Sequence, residues 1–277
     1  MNNKIIVDHD AGFFSCCTIR LLRIVQFINK EKTYPEVDSS LQFNMYKDNA
    51  GDATPYFFKT VQEQQPINNI IKYYNDDIDT QMSPYKELDF ENINFLIKKY
   101  FSFSDLVIQA YDYLMSKYNI DFAKTIAVCY RGNDKHKETN IPSHEEILSK
   151  LDDVKSLNPD YKILIQSDEI DIYKKILDKY PDSLFFNEIF KIENNKNFSI
   201  AHFIPQGQRT NQAILFLGIM KILSQCDKLI LNSGNVGMWL CFFRGNADGV
   251  YQYLNHKEYV YGVYNEHVKK NNTNFWF

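Results

Sequence analysis

The run Thr125-Ile126-Ala127-Val128-Cys129 is small, apolar or β-branched throughout, and it stops at Tyr130-Arg131-Gly132 and a charge cluster reaching Glu138. Such a short run with an abrupt polar end reads as a buried strand entering a loop. The pattern recurs. Lys162-Ile163-Leu164-Ile165-Gln166 leads into Ser167-Asp168-Glu169 and a helical stretch, and Lys228-Leu229-Ile230-Leu231 leads into Asn232-Ser233-Gly234-Asn235 and another. Alternating strands, polar loops and helices constrain the chain to an α/β fold with parallel strands. In open α/β sheets ligands bind beyond the carboxyl ends of the strands. Arg131, the first side chain past its strand, offers a planar fork of donors suited to a diphosphate. The turn at Gly132 lets a ligand approach the backbone. The bland alternative is a surface ion pair between Arg131 and Asp134.

With 277 residues the chain is one large α/β domain or two small ones. A formal net charge of −4 argues against a nucleic-acid binder, whose phosphate contacts need a basic face. The five cysteines include an adjacent pair, Cys16 and Cys17, but no C-x-x-C, which fits neither a disulfide framework nor a zinc site and points to a reducing compartment. No stretch of about eighteen apolar residues occurs, so no membrane span is expected. The chain opens directly on a strand pattern, so neither is a signal peptide, and a cytoplasmic setting follows as the expectation.

Lys4 to Val7 reads as a strand, followed by the loop from Asp8 to Ser15 and a mostly buried helix to about Asn29. Asp8-x-Asp10 has two readings, a divalent-cation site or carboxylates that satisfy loop amides and the helix start; Asp77-x-Asp79 is a similar pair. We expect no metal. Leu41 to Phe43 and Tyr56 to Phe58 look like short strands. Helical periodicity covers Glu91 to Lys99 and Ser104 to Tyr118. In the latter, Leu106, Val107, Ala110, Tyr111, Leu114 and Tyr118 form one expected core stripe behind a Ser104 cap. Ser143 and Glu146 have capping-box spacing, which makes His144 a surface residue at a helix start. Asp168 is a helix N-cap or a site residue, and Ser183 to Phe186 continues the strand series. The Ser233-Gly234-Asn235 turn before the last helix has the form of an anion site, with backbone N–H groups at a helix N-terminus. Neither G-x-G-x-x-G nor a P-loop occurs, so NAD enzymes and P-loop NTPases are not supported.

Arg131-Gly132-Asn133-Asp134-Lys135 after a strand, Ser167-Asp168-Glu169 before a helix ending in Lys179-Tyr180-Pro181, and Ser224-Gln225-Cys226-Asp227 before the last strand and turn share an identifiable pattern. Together they resemble the fucosyltransferase-like glycosyltransferases, the group of α1,6-, α1,2- and protein O-fucosyltransferases. The likeness runs over residues 125–244, with an echo in the Gly12-Phe13 loop. It implies two facing Rossmann-like domains of GT-B type: 1–120 on the acceptor side, 121–250 for the donor, and 251–277 packing back on the first. It implies an inverting, metal-independent enzyme with no cofactor, moving fucose from GDP-fucose to a glycan hydroxyl. Its donor would be held by Arg131, Gly12, Phe13, Asp168, Ser233, Gly234 and Asn235. Glu138 is the first candidate for the base, then Asp134, then His136, and Asp134 alternatively positions Arg131. Tyr73, Tyr74 and Tyr85 are candidate platforms for sugar rings. The family's guanine-reading acidic residue, expected around Gly218-Ile219-Met220, is absent, which leaves room for another nucleotide sugar or an inactive binding module.

Overall fold

A computed structural model describes residues 3–63, 65–67, 70–71, 81–139, 141–192, 198–254 and 276–277. Tyr73, Tyr74, Asp77-x-Asp79 and residues 255–275 of the C-terminal segment lie outside the described residues. The second half is built on a parallel sheet of β5 (Thr125–Tyr130), β6 (Lys162–Ser167), β7 (Leu184–Phe185), β8 (Lys228–Asn232) and β9 (Val250–Tyr253), ordered β7-β6-β5-β8-β9. Alternate residues feed two apolar layers. Ile126, Val128, Ile163, Ile165 and Ile230 face α5 (His144–Leu157) and α6 (Ile170–Lys179), while Ala127, Cys129, Leu164, Leu229 and Leu231 join the larger core on the other side. Burial on both faces is why these strands read as continuous apolar runs.

That larger core also holds α4 (Asp105–Tyr118), α7 (Arg209–Gln225), α8 (Asn235–Arg244) and the whole first half. There β1 (Lys4–Ile6) and β2 (Glu36–Asp38) pair in parallel around α1 (Phe13–Glu31), a single βαβ unit. β3 (Phe58–Lys59) and β4 (Ser102–Phe103) form an antiparallel pair flanking α3 (Phe90–Tyr100). The expected strand at Leu41 to Phe43 is corrected to a turn that leads into the 3₁₀ turn Asn44–Tyr46. Of the expected strand Tyr56 to Phe58, Phe58 opens β3, while Tyr56 and Phe57 belong to a short helix, α2 (Thr54–Phe57), with Pro55 in its first turn. A proline fixed near helical φ favours that start over a strand.

The caps follow the sequence. Ser104 Oγ accepts from Val107 N, and Ser143 and Glu146 close a capping box. The α4 stripe is corrected: Val107 and Leu114 are buried, but Leu106 is exposed. The segment from residue 251 begins within edge strand β9, whose Gln252 hydrogen-bonds Ser83 and Tyr85 of the first half. No helix among the described residues is long and apolar enough to cross a membrane.

Candidate active site

The chain enters the sheet at β5, proceeds through β6 and β7, then returns to the opposite side of β5 with β8, so β5 and β8 flank the point where strand order reverses. Their carboxyl ends open on a cavity of about 660 Å³. This is where ligands settle in open α/β sheets. Arg131 follows β5 directly, and Asn232, the last residue of β8, grips its backbone reciprocally: Arg131 N donates to Asn232 Oδ1 at 2.9 Å, and Asn232 Nδ2 donates to Arg131 O at 3.0 Å.

The Arg131 side chain is one-third exposed, toward the cavity. Its Nη2 donates to Asp134 Oδ1 at 2.8 Å, and its Nε lies 3.2 Å from Asp168 Oδ2 without the alignment of a hydrogen bond. Burial alone would lower the guanidinium's pKa, but Asp168 and Asp134 outweigh it and the net shift is upward. Asp134 would rise by burial, yet the Arg131 charge and hydrogen bond hold it below the usual carboxylate range. For Asp168 burial prevails over Arg131 and its pKa is raised.

Asp168 also accepts from Gly132 N at 3.1 Å, and the cap position of α6 falls to Glu169, so Asp168 supports the Arg131 loop and is no helix cap. A Cβ on Gly132 would lie 2.4 Å from the Tyr130 ring and 2.7 Å from the Glu169 carboxylate, so no side chain fits there. Glu169 is paired with His144, whose side chain is only 15% exposed; the expected surface histidine is a largely buried partner beneath the loop.

Lys135 closes the loop from the α8 side. It is 6% exposed, with Nζ 2.5 Å from Glu138 Oε2 and 3.3 Å from Gln81 Oε1, and burial lowers its pKa against the pull of Glu138. His136 turns away to Asn133 O at 2.7 Å. The expectation that Ser233, Gly234 and Asn235 present open amides is corrected. Ser233 N donates to Tyr253 O, Gly234 N to Gln81 O and Tyr85 Oη, and Asn235 N to Gln81 Oε1. All three residues line the cavity, but the N–H groups left without an acceptor among the described residues are those of Val236 and Gly237, one step further into α8. Tyr85, only 1% exposed with its hydroxyl on Gln81 O and Gly234 O, pins this turn and is no sugar platform.

From the first half, Gly12, Phe13 and Phe14 line the same cavity. Gly12 has a negative φ and open space where a Cβ would stand, so its small size leaves room and does not serve a turn. His9 lines the wall with Nε2 2.9 Å from Ser15 Oγ, and burial lowers its pKa. Asp10 receives Asn44 N and Nδ2 at 3.0 and 2.9 Å, the amide-satisfying reading of that pair. Tyr46 bridges the halves beside Arg131, its phenol pushed up to about 12 by burial. Sequence reasoning missed Asn232, Lys135, Gln81 and His9. Lys135 stood in the loop motif, but nothing local showed that it is buried beside α8.

Three crystal structures have a similar fold. The first is the α-1,6-fucosyltransferase NodZ soaked with GDP-fucose, with TM-score 0.60 and 11% identity over 90% of this chain and 94% of that one. The fold is that of NodZ. NodZ co-crystallised with GDP gives TM-score 0.57 at 12% identity over 90% and 94%, and NodZ from Bradyrhizobium gives 0.53 at 12% over 82% and 86%. No protein-family model and no curated protein matches the chain. The likeness to NodZ therefore lies in the course of the chain, a mixed α/β fold about a parallel sheet, far more than in residue identity.

Proposed function

We propose that this chain is an inverting glycosyltransferase that moves a sugar from a nucleotide diphosphate sugar, with GDP-fucose favoured, to a glycan hydroxyl, without a metal ion. The observation that carries the reading is the backbone-clamped Arg131 at the β5–β8 switch point, sharing one cavity with Lys135 and the open N–H groups of Val236 and Gly237. In such a transfer the sugar gains oxocarbenium character while negative charge grows on the departing diphosphate. Preorganised cations and amides aimed at that charge lower the barrier.

In this reading Arg131, Lys135 and the α8 N-terminus receive the diphosphate, and Asp134 and Asp168 hold Arg131 in place. Glu138 takes the acceptor proton once Lys135 turns from it to the phosphate. Gly12, Phe13, Ser233, Gly234 and Asn235 complete the wall around the donor. Residues 121–250 form the donor side and residues 1–120 present the acceptor. The five cysteines, all buried and free, accord with a reducing, cytoplasmic setting.

The test is consumption of GDP-fucose in the presence of a glycan panel, with and without EDTA. Release of GDP and product of inverted configuration, undiminished by EDTA, is the expected result. Strict Mg²⁺ or Mn²⁺ dependence that disappears on changing Asp8 or Asp10 would replace the metal-independent mechanism. Donor binding with no turnover or donor hydrolysis would make the chain a binding module.

A further inference from the structure

The positions from which a guanine-reading carboxylate was expected are closed. Gly218, Ile219 and Met220 belong to the buried face of α7, and a Cβ on Gly218 would stand 3.2 Å from Tyr111 N on α4. None of the three lines the cavity. The residues α7 turns toward it are Gln212, Ala213 and Phe216, and the Gln212 amide is already spent on Phe190 N and Glu188 O.

Across the cavity from α7, Gln166 points from the fifth position of β6, beside Cys129 of β5. It is 6% exposed and lines the cavity, its Nε2 donates to Ser167 O at 3.3 Å, and its Oε1 has no hydrogen-bond partner. That donation fixes the amide orientation and leaves the oxygen as the orphan. A buried acceptor without a partner costs free energy, so an acceptor kept at a cavity wall points to a ligand donor. Ile189, Phe190 and Ile204, with Ala213 and Phe216 of α7, also line the cavity and supply apolar surface for a flat ring.

We propose that Gln166 Oε1 reads the base of the donor nucleotide by accepting the N1–H of guanine. The inference rests on the donor reading above and adds the group that selects the base. An amide oxygen can only accept, and guanine presents a protonated ring nitrogen to it at N1. Adenine presents a lone pair at the same ring position, and lone pair would face lone pair. A neutral amide does this without placing another carboxylate next to Asp168 and Glu169.

The test is calorimetric titration of the full chain with GDP, N1-methyl-GDP, ADP and inorganic pyrophosphate, repeated on Gln166→Met. Methionine keeps the length and removes the acceptor. The parent is expected to bind GDP at least about fivefold more tightly than N1-methyl-GDP or ADP, the scale of one buried hydrogen bond. Gln166→Met is expected to bind GDP no better than N1-methyl-GDP, with pyrophosphate affinity unchanged.

Equal binding of GDP and N1-methyl-GDP by the parent would overturn the assignment, and that arm needs no variant to fold. A preference for GDP that persists in Gln166→Met would overturn it too, by placing base selection elsewhere. A parent that binds pyrophosphate but not GDP would sink the base assignment alone. A parent that binds neither would remove the donor reading and this inference with it.

Discussion

The two halves of the molecule reach order by different means. From residue 125 to 254 five parallel strands carry the core and fix the loops at their carboxyl ends. Among the described residues from 3 to 103 the strands are two or three residues long, and rings take the place of a wide sheet. Phe13 packs within 5.0–5.4 Å of Phe43, Phe57, Tyr46 and Phe14, and Phe43 and Phe57 are fully buried. The sheet half holds charges in set places, because each loop starts from a strand whose register is fixed. The aromatic half offers shape, an apolar wall with His9 and Gly12 at its rim.

That contrast sets the expected outcomes. Phe57→Ala removes a fully buried ring from a region with little sheet to absorb the loss, and should lower stability by about 3–5 kcal/mol. Chemical denaturation reads this directly. A loss below about 1 kcal/mol would show that the rings are incidental to the first half.

Arg131→Ala should leave the fold intact and cost about 2.7–4 kcal/mol in kcat/KM, the scale of one preorganised donor, with weaker GDP binding as well. Arg131→Lys should not restore activity, because a point charge lacks the planar fork. Parent-like kinetics in both variants would detach the site from the sheet half. Glu138→Gln should reduce kcat by about 10²-fold and leave GDP affinity within about twofold, the signature of a lost base. If Glu138→Gln retains turnover while His9→Gln loses it, the proton goes to the aromatic half. The smallest effect belongs to Ser143→Ala, about 1 kcal/mol of stability from the lost α5 cap, with kinetics unchanged.

How much could be read in advance follows the same division. The runs ending at Cys129, Gln166 and Leu231 and the Ser104 and Ser143 caps were legible because alternation and capping are local signals. The loop after β5 was legible as a place for charge. Which charges meet was not: Lys135 finds Gln81 and the α8 turn, 54 residues or more away, and Glu138 stands paired with it. Tyr85 and the pair Tyr56-Phe57 misled for a related reason. An aromatic residue in a polar stretch carries no mark of the long-range partners that bury it. The α8 N-terminus was found, but its first amides were assigned to a ligand when Gln81, Tyr85 and Tyr253 already hold them.

The grip of Asn232 on the Arg131 backbone joins residues 101 positions apart. During synthesis the arginine emerges long before the asparagine that seats it, so the site proposed for the diphosphate is assembled only when β8 docks against β5, among the later long-range closures of this topology. A nucleotide that engages this arginine therefore has nothing to hold on a nascent or partly unravelled chain. Its binding would act as a sensor of completed folding and would draw the equilibrium toward the finished sheet.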